Sequence, residues 1–302
     1  MNIMNLLNAL PGAVAQGLVW GIMAIGLYIT YKILDIADLT VDGSICTGAA
    51  VCTVAIIGGQ NVWVAMFFAI LAGIAAGLVT GIFHTVLGIP AILAGILTQL
   101  ICWSVNLKIL GKANLGLSSR SYKVLLTSLD NYKAMGILFA FAVVVICLLY
   151  LFFGTELGCS LRATGNNINM SRAQGINTDV NKVIGLALSN GIVALSGALL
   201  CQYQGFADIN MGRGAIVIGL AAVIIGEALI GRHFKNFAVR LFGVLLGGVI
   251  YYLVYQVVIF LGLDTDYMKM LSALIVAVFL GIPHIRSKIL GSRGKKVRAR
   301  NA

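Results

Sequence analysis

The sequence predicts an all-α integral membrane protein with about nine transmembrane helices. Of its 302 residues, 60% are hydrophobic and only 10% are charged, whereas soluble domains carry about 25% charged residues. Apolar runs of about 20 residues alternate with short polar segments, as a hydrocarbon layer about 30 Å thick requires of helices that span it. The chain is therefore predicted to form one transmembrane domain over residues 1–302.

The predicted crossings follow from these apolar runs. They lie at approximately 12–31, 44–58, 63–83, 89–107, 134–153, 183–203, 214–231, 238–262 and 268–283. The net charge is +11, and much of it lies in the tail after Pro283. Because basic flanks of membrane helices favour the cytoplasmic side, residues 284–302 are predicted to be a basic cytoplasmic tail, with the N-terminus outside. The positive charge is thus interpreted as a membrane flank, and no nucleic-acid binding is expected.

One predicted loop conflicts with this orientation. Residues 109–132 are placed outside the membrane, although several basic residues lie in or beside them, which the positive-inside rule disfavours. These residues are Lys108, Lys112, Arg120, Lys123 and Lys133. The orientation is kept because the tail and the segment 154–182 both favour it. A re-entrant segment that the hydropathy pattern misses would reverse the side of the N-terminus.

Small residues recur at helical spacing within several predicted crossings. They are Gly17 with Gly21, Gly73 with Gly77 and Gly81, and Gly243 with Gly247. Such positions share one helix face and allow two backbones to approach closely in lipid. We interpret them as packing contacts within the chain, and contact with a second copy is the alternative.

Two distant segments resemble each other. Residues 37–51 read ADLTVDGSICTGAAV, and residues 207–223 read ADINMGRGAIVIGLAAV. Each segment is polar, contains glycine and opens a hydrophobic crossing, and the two predicted crossings run in opposite directions. This is the pattern of an inverted repeat with interrupted helices, which marks the permeation region of many transporters. The repeat is weak because the match is short, and a chance resemblance is the alternative.

Four polar residues of this repeat are candidates for the pathway or for helix interruptions: Asp38, Asp42, Asp208 and Asn210. Carboxylates at membrane depth are costly unless they face protein or water, which favours a place along a pathway. The alternative is structural, because aspartate caps helix N-termini well. For Asp38 and Asp208 we favour the cap. Glu227 is interpreted as one half of an interfacial ion pair, close to Arg232.

Residues 155–182 are mostly polar and are predicted to form a cytoplasmic loop between the fifth and sixth crossings. The segment is too long to be a simple turn. Residues 169–174 are predicted to form a short helix bounded by Gly165 and Gly175. Its apolar side chains share one face: Met170 and Ala173. A short helix with an apolar contact and a polar rim is suited to binding another protein.

Residues 161–176, LRATGNNINMSRAQGI, resemble the coupling loop of permease subunits of bacterial ATP-binding-cassette (ABC) importers. The family in question serves branched-chain amino acids, ribose and related solutes. The segment DIADLTVDGS is similar to an aspartate-rich segment of its sugar branch, although Asp42 stands where that branch usually has Gly. The resemblance in hydropathy extends over nearly the whole chain. The resemblance of residues 161–176 implies that the following residues couple the permease to the ATPase: Arg162, Gly165, Asn166, Asn167, Met170, Arg172, Ala173, Gly175 and Ile176.

The resemblance implies a multi-pass permease subunit of the bacterial cytoplasmic membrane, surrounded by lipid, with a cytoplasmic C-terminus. Its expected protein partners are a dimer of ABC ATPase subunits, a second permease subunit and an extracytoplasmic solute-binding protein. The second permease is expected to be another copy in a homodimer, and a paralogue is the alternative. The residues expected to meet the binding protein are Lys112, Arg120 and Lys123. Within the family, the chain looks closest to importers linked to aromatic amino acids such as tryptophan or tyrosine.

The sequence contains no phosphate-binding loop of the form GxxxxGK[ST], and the nearest match, GSRGKK, lacks the Ser or Thr. The chain is therefore expected not to be an enzyme and to bind no cofactor, with ATP held by the partner subunit. The three histidines lie far apart, and the six cysteines lack metal-ligand spacing. No metal site is predicted, and the cysteines are interpreted as reduced packing residues.

Two other functional classes stay open. A secondary transporter driven by an ion gradient would also be compatible with the inverted repeat, and its titrating carboxylates could only be Asp38, Asp42 and Glu227. An intramembrane enzyme would need a Ser/His, HExxH or paired-Asp constellation at one depth, and the sequence offers none. The coupling-loop pattern favours the importer over both classes.

Overall fold

The computed structural model describes residues 3–119, 121–230 and 236–260, with positions 270, 273, 274, 277, 278 and 281. The helices are α1 (Ile3–Tyr28, continued by a π-helical turn Ile29–Ile33), α2 (Val41–Ile57), α3 (Val62–Thr85), α4 (Ala91–Leu110), α5 (Asn131–Phe153), α6 (Glu156–Asn166), α7 (Ile168–Ala173), α8 (Thr178–Gln204), α9 (Ala215–Ile230) and α10 (Phe237–Phe260). Two short strands are β1 (Asn114–Gly116) and β2 (Phe206–Asp208).

The membrane class predicted from composition is confirmed, whereas the number of nine crossings is not. Six described helices are long and apolar enough to span a membrane. They are Ala9–Ile33, Val62–Thr85, Ala91–Leu110, Asn131–Phe153, Thr178–Gln204 and Phe237–Phe260. α2 and α9 are apolar but shorter. The crossing predicted at 268–283 falls mostly outside the described residues.

The strands form a small antiparallel pair that the all-α prediction did not include. Asn114 pairs with Asp208, Leu115 with Ala207 and Gly116 with Phe206. The pair joins the loop after α4 to the turn after α8. We call this end of the bundle the β end, and the opposite end, where α5 leads into α6, the α6–α7 end.

Helix packing follows the inverted repeat. α3 packs along α8, and α10 packs along α1 in the same way. α2 packs on α3 as α9 packs on α10, and α1 packs on α8 at the centre. An exchange of α1, α2 and α3 with α8, α9 and α10 therefore preserves the main contacts. α1 runs towards the α6–α7 end and α8 runs away from it, so the two triplets are antiparallel.

The small residues allow this packing, so the interpretation as contacts within the chain is confirmed. A Cβ on Gly17 would lie 2.6 Å from the Cα of Val249, and one on Gly77 would lie 2.7 Å from the Cα of Ala187. A Cβ on Gly247 would overlap the carbonyl oxygen of Ala222 on α9. Larger residues at these positions would force the helices apart.

Candidate functional site

Two half-length helices begin near the middle of the bundle. Asn190 lies near the midpoint of α8, its Nδ2 donates to Asp38 Oδ2 at 2.8 Å, and Ser44 Oγ donates to its Oδ1 at 2.6 Å. The segment after α1 therefore returns into the bundle before α2 starts. After α8, the chain likewise re-enters from the β end and starts α9 beside the first turn of α2. The N-termini of α2 and α9 thus meet at mid-depth.

The same turn precedes both half-helices. Asp38 Oδ1 accepts from the backbone N–H of Thr40 at 2.9 Å, and Asp208 Oδ1 accepts from that of Asn210 at 2.7 Å. Neither aspartate is itself the N-cap residue, because α2 has Thr40 in that position and α9 begins at Ala215, well after Asp208. Each carboxylate stabilises a turn in the segment that leads into the helix, so Asp38 and Asp208 have a structural role at the interruption.

Asp42 connects the two halves. Its Oδ2 accepts from the backbone N–H of Gly214 at 3.0 Å, and its Oδ1 accepts from that of Ile216 at 2.9 Å. Both N–H groups lie at the start of α9, where four amides lack partners within the helix and the helix dipole is positive. A carboxylate from the first half therefore caps the central helix of the second half. Asp42 was predicted from the sequence as a candidate for the pathway or a helix interruption, but this contact was not foreseen.

A cavity of about 310 Å³ opens beside this junction. Its volume is at the lower end of the range of small-molecule sites. The lining residues come from α2, α4 and the turn before α9: Asp42, Gly43, Cys46, Gln99, Leu100, Trp103, Asn106, Ile209, Asn210 and Arg213. Asp42 and Asn210 were predicted from the sequence, whereas Arg213 and the α4 residues were not. The α4 residues gave no signal because α4 has the pattern of an ordinary apolar span.

Two side chains of this cavity are unusual. Asn106 is fully buried, and neither Oδ1 nor Nδ2 has a hydrogen-bond partner among the described residues. Arg213 is exposed and forms no ion pair within the described part of the chain. Both are costly within a membrane, because lipid satisfies neither an amide nor a guanidinium. The face formed by α4 and the start of α9 is therefore unsuited to contact with lipid.

The segment 155–182 forms α6, α7 and the start of α8, whereas the sequence predicted a loop with one short helix. Gly165 does not bound the short helix but lies inside α6, where a Cβ would overlap the carbonyl oxygen of Ile33. The break falls at Asn167, whose side-chain Oδ1 accepts from the N–H of Met170 at 3.0 Å and caps α7. Gly175, with a φ of +78°, follows the end of α7.

α7 lies on the surface. Ser171 is its one buried residue, and Ser171 Oγ donates to the carbonyl of Asn167 at 2.9 Å. Ile168 and Met170 are 39% and 59% exposed, although both are apolar. Several of the other predicted coupling residues are exposed around them: Asn166, Arg172, Ala173 and Gly175.

The two arginines of the predicted coupling set are held by contacts within the chain. The guanidinium of Arg162 lies 4.5 Å from the ring centroid of Phe237 and 5.1 Å from that of Phe153. Arg172 donates from Nε to Thr178 Oγ1 at 3.0 Å and lies 3.5 Å from Asp179. Both side chains thus tie the α6–α7 segment to the spanning helices. Ile176 is partly buried where α7 turns into α8.

The loop 109–132 lies at the β end. Leu117 and Leu126 are buried and anchor it, and the N–H of Leu117 donates to the carbonyl of Gly205 at 2.7 Å. Lys112 and Lys123 are exposed, whereas Arg120 lies outside the described residues. At the opposite end, Glu227 pairs with Lys32 at 3.1 Å. The predicted ion pair of Glu227 therefore exists with Lys32, and Arg232 lies outside the described residues.

Comparison with known proteins identifies the class of this fold. The family described as branched-chain amino acid transport system, permease component, matches residues 10–280. The chain belongs to this permease family. Permease components of this kind are not enzymes, and membership implies ATPase and substrate-binding partners. In the described part of the chain, no three His, Cys, Asp or Glu residues cluster as metal ligands do.

Several relatives of this permease are similar over most of its length. A tyrosine transport system permease protein of Clostridioides difficile is 37% identical over 293 residues, which cover 96% of this chain and 97% of the relative. An uncharacterized protein of Rickettsia prowazekii, RP368, is 33% identical and covers 91% and 97%. The autoinducer 2 import system permease LsrC of Yersinia enterocolitica is 31% identical over 61% of this chain and 51% of LsrC.

Solved structures share the fold of the permease at low sequence identity. PsaBC from Streptococcus pneumoniae, solved with a Fab, matches with a TM-score of 0.52 and 16% identity over 93% of this chain and 95% of that chain. A metal-chelate type ABC transporter in an inward-facing conformation matches with a TM-score of 0.51 and 18% identity, over 92% and 86%. These similarities concern the fold alone.

Proposed function

We propose that this permease forms the translocation pathway of an ATP-driven importer for an amino acid, with aromatic amino acids as the first candidates. The tyrosine transport permease, similar over nearly the whole length of both chains, supports this choice of solute. In this proposal a binding protein delivers the solute at the β end, and ATPase subunits act at the α6–α7 end.

The observation that carries the proposal is the exposed position of α7. Ile168 and Met170 present apolar surface beyond the ends of the spanning helices, and only Ser171 is buried. Polar side chains surround this apolar centre, as in the contact sites of protein interfaces. We assign α7 as the ATPase-docking helix, with Met170 at its centre.

Force on α7 would reach the spanning helices through α6. A Cβ on Gly165 would overlap the carbonyl of Ile33, so α6 lies directly against the end of α1. Asn181 Nδ2 on α8 donates to Thr164 Oγ1 at 2.9 Å, and Ser160 Oγ donates to Asn181 Oδ1 at 3.2 Å. A displacement of α7 would therefore move α1 and α8, the two central helices, together. Such coupling is what alternating access requires.

A second permease copy is proposed to cover the polar face at mid-depth. Arg213 and Asn210 are exposed there, and Gln99 is partly exposed. Ionisable groups at this depth face protein or a water-filled space. A homodimer packed around this face would enclose the pathway between its subunits. This arrangement places the α4–α9 face inward and leaves the apolar surface of α5 to lipid.

The partners of the proposed importer determine its orientation in the membrane. The α6–α7 end and the tail 284–302 are proposed to lie in the cytoplasm of a bacterium, and the β end outside the cytoplasmic membrane. Lys112 and Lys123 are exposed at the β end, and with Arg120 they would meet an acidic edge of the binding protein.

The decisive experiment is co-purification with the candidate ATPase in detergent, followed by ATP hydrolysis. Met170→Glu puts a charge in the centre of the proposed interface, and we expect about a 10-fold weaker complex, equivalent to 1.4 kcal/mol. Leu129→Glu is the matched control, because Leu129 is 74% exposed at the β end. Gly165 is unsuitable for this test, since any side chain there would disturb the fold.

If Met170→Glu binds the ATPase as the wild type does, α7 is not the docking helix. If no ATPase binds and solute uptake in proteoliposomes persists with an ion gradient, the secondary-transporter alternative replaces the importer.

Binding-protein docking is tested separately by charge reversal. Lys112→Glu with Lys123→Glu should reduce the association rate at low salt, with a smaller effect at high salt, because exposed charges are screened beyond about 10 Å at 0.1 M. Surface plasmon resonance at two ionic strengths measures this. An association rate that does not depend on salt would argue against electrostatic docking at this loop.

A further inference from the structure

We infer that the cavity at the junction of α2 and α9 is a binding site for the zwitterionic group of an amino acid. This inference rests on the proposed function and deepens it, because it assigns the permease a solute site of its own at mid-depth. The cavity of about 310 Å³ lies where the N-termini of the two half-helices meet.

Asn106 is the observation that points to a ligand. It lines the cavity and is fully buried, yet both its Oδ1 and its Nδ2 lack a partner among the described residues. Buried side-chain amides are nearly always hydrogen-bonded, because burial without a partner is costly. An amide offers one acceptor and two donors. A ligand that both donates and accepts would satisfy it.

The charges around the cavity favour a carboxylate at one side. Arg213 is exposed towards it and forms no ion pair with a described residue. The adjacent N-termini of α2 and α9 add positive potential. Only the Asp42 carboxylate opposes them within the lining, and both its oxygens accept backbone N–H groups of α9. A solute carboxylate next to Arg213 would complete the charge balance.

The remaining groups fit the rest of an amino acid. An α-amino group would donate to Asn106 Oδ1 and to a free lone pair of Asp42, since each carboxylate oxygen accepts more than one hydrogen bond. Trp103 and Leu100, which are 43% and 61% exposed, supply an apolar wall from α4. Such a wall suits an apolar or aromatic side chain. A sugar lacks both ionic groups and would leave Arg213 unpaired.

The test measures binding of radiolabelled tyrosine to the purified permease–ATPase complex without binding protein, and uptake into proteoliposomes with it. Arg213→Gln and Asn106→Leu should each weaken tyrosine binding about 10-fold or more, because each removes a hydrogen-bond partner of a charged group of the solute. Thr53→Val is the matched control, because Thr53 is also a fully buried polar side chain but does not line this cavity. Retained ATPase association shows that each variant is folded.

Solute analogues sharpen the result. Tyramine lacks the carboxylate, and 3-(4-hydroxyphenyl)propionate lacks the amino group, so both should compete with tyrosine at least about 10-fold more weakly than unlabelled leucine does. Equal competition by either analogue overturns the zwitterion assignment.

The two proposals fail differently. If the wild-type complex imports tyrosine with ATP and both cavity variants bind and transport it as Thr53→Val does, only the cavity site is overturned. If the wild-type complex imports neither tyrosine nor leucine, the proposed function is wrong and the cavity site fails with it.

Discussion

The two halves of the repeat share a turn but differ at the positions that follow it. Asp38 and Asp208 each accept the N–H two residues later, so the local backbone is the same. The next aligned pairs differ: Asp42 corresponds to Gly212, and Gly43 corresponds to Arg213. Asp42 and Gly212 lie in contact at the junction, where Asp42 caps α9 and a Cβ on Gly212 would overlap the carbonyl of Asp42. A repeat with two identical halves could not supply both the carboxylate and the space that receives it.

The largest expected effect comes from adding a side chain at Gly212, in the turn before α9. Gly212→Ala places a Cβ against the Asp42 carbonyl and the Ile45 side chain, and we expect a loss of about 3 kcal/mol in unfolding free energy. Unfolding by SDS in mixed micelles, followed by tryptophan fluorescence, measures it. Gly136→Ala is the control, because a Cβ there meets nothing within 4 Å. Equal stability of the two variants would show that the halves do not touch at Gly212.

A second comparison removes the shared turn from each half. Asp38 is 2% exposed and also accepts from Asn190 Nδ2, so Asp38→Ala should cost about 3 kcal/mol by leaving buried donors unpaired. Asp208 is partly exposed, and water can replace it, so Asp208→Ala should cost about 1 kcal/mol. The same unfolding assay ranks them. Similar losses would mean that burial does not distinguish the two turns.

The smallest effect is expected at the far ends of the half-helices. α9 is tied to α1 by the Lys32–Glu227 ion pair, with side chains 47% and 32% exposed, whereas α2 ends at Gly58 next to a surface turn. A double-mutant cycle of Lys32→Gln and Glu227→Gln should give a coupling energy of about 0.5 kcal/mol. That energy should fall at high salt. A coupling above about 2 kcal/mol would indicate a pair much less exposed to solvent than the structure shows.

Several features of the structure could be predicted from the local sequence pattern alone. Apolar runs placed the eight described apolar helices, α1–α5 and α8–α10, to within a few residues at most ends, because apolar segments of this length are what a hydrocarbon layer requires. The short helix predicted at 169–174 is α7, Ile168–Ala173. Gly165 was taken as a helix boundary, whereas it lies inside α6 and is a packing position against Ile33. Sequence spacing does not separate these two uses of glycine.

The candidate site was predicted only in part, and the reason is distance along the chain. Composition and hydropathy determined the membrane class, and the aspartate-containing segments determined where helices are interrupted. Tertiary structure decided that Asp42 caps a helix 172 residues later, that Asn106 is buried with no hydrogen-bond partner among the described residues, and that Arg213 lines the same cavity as both. Periodicity reports the environment of one helix, whereas contacts between distant segments depend on which helix faces meet. That choice is made by close packing at glycines, whose partners the sequence alone does not identify.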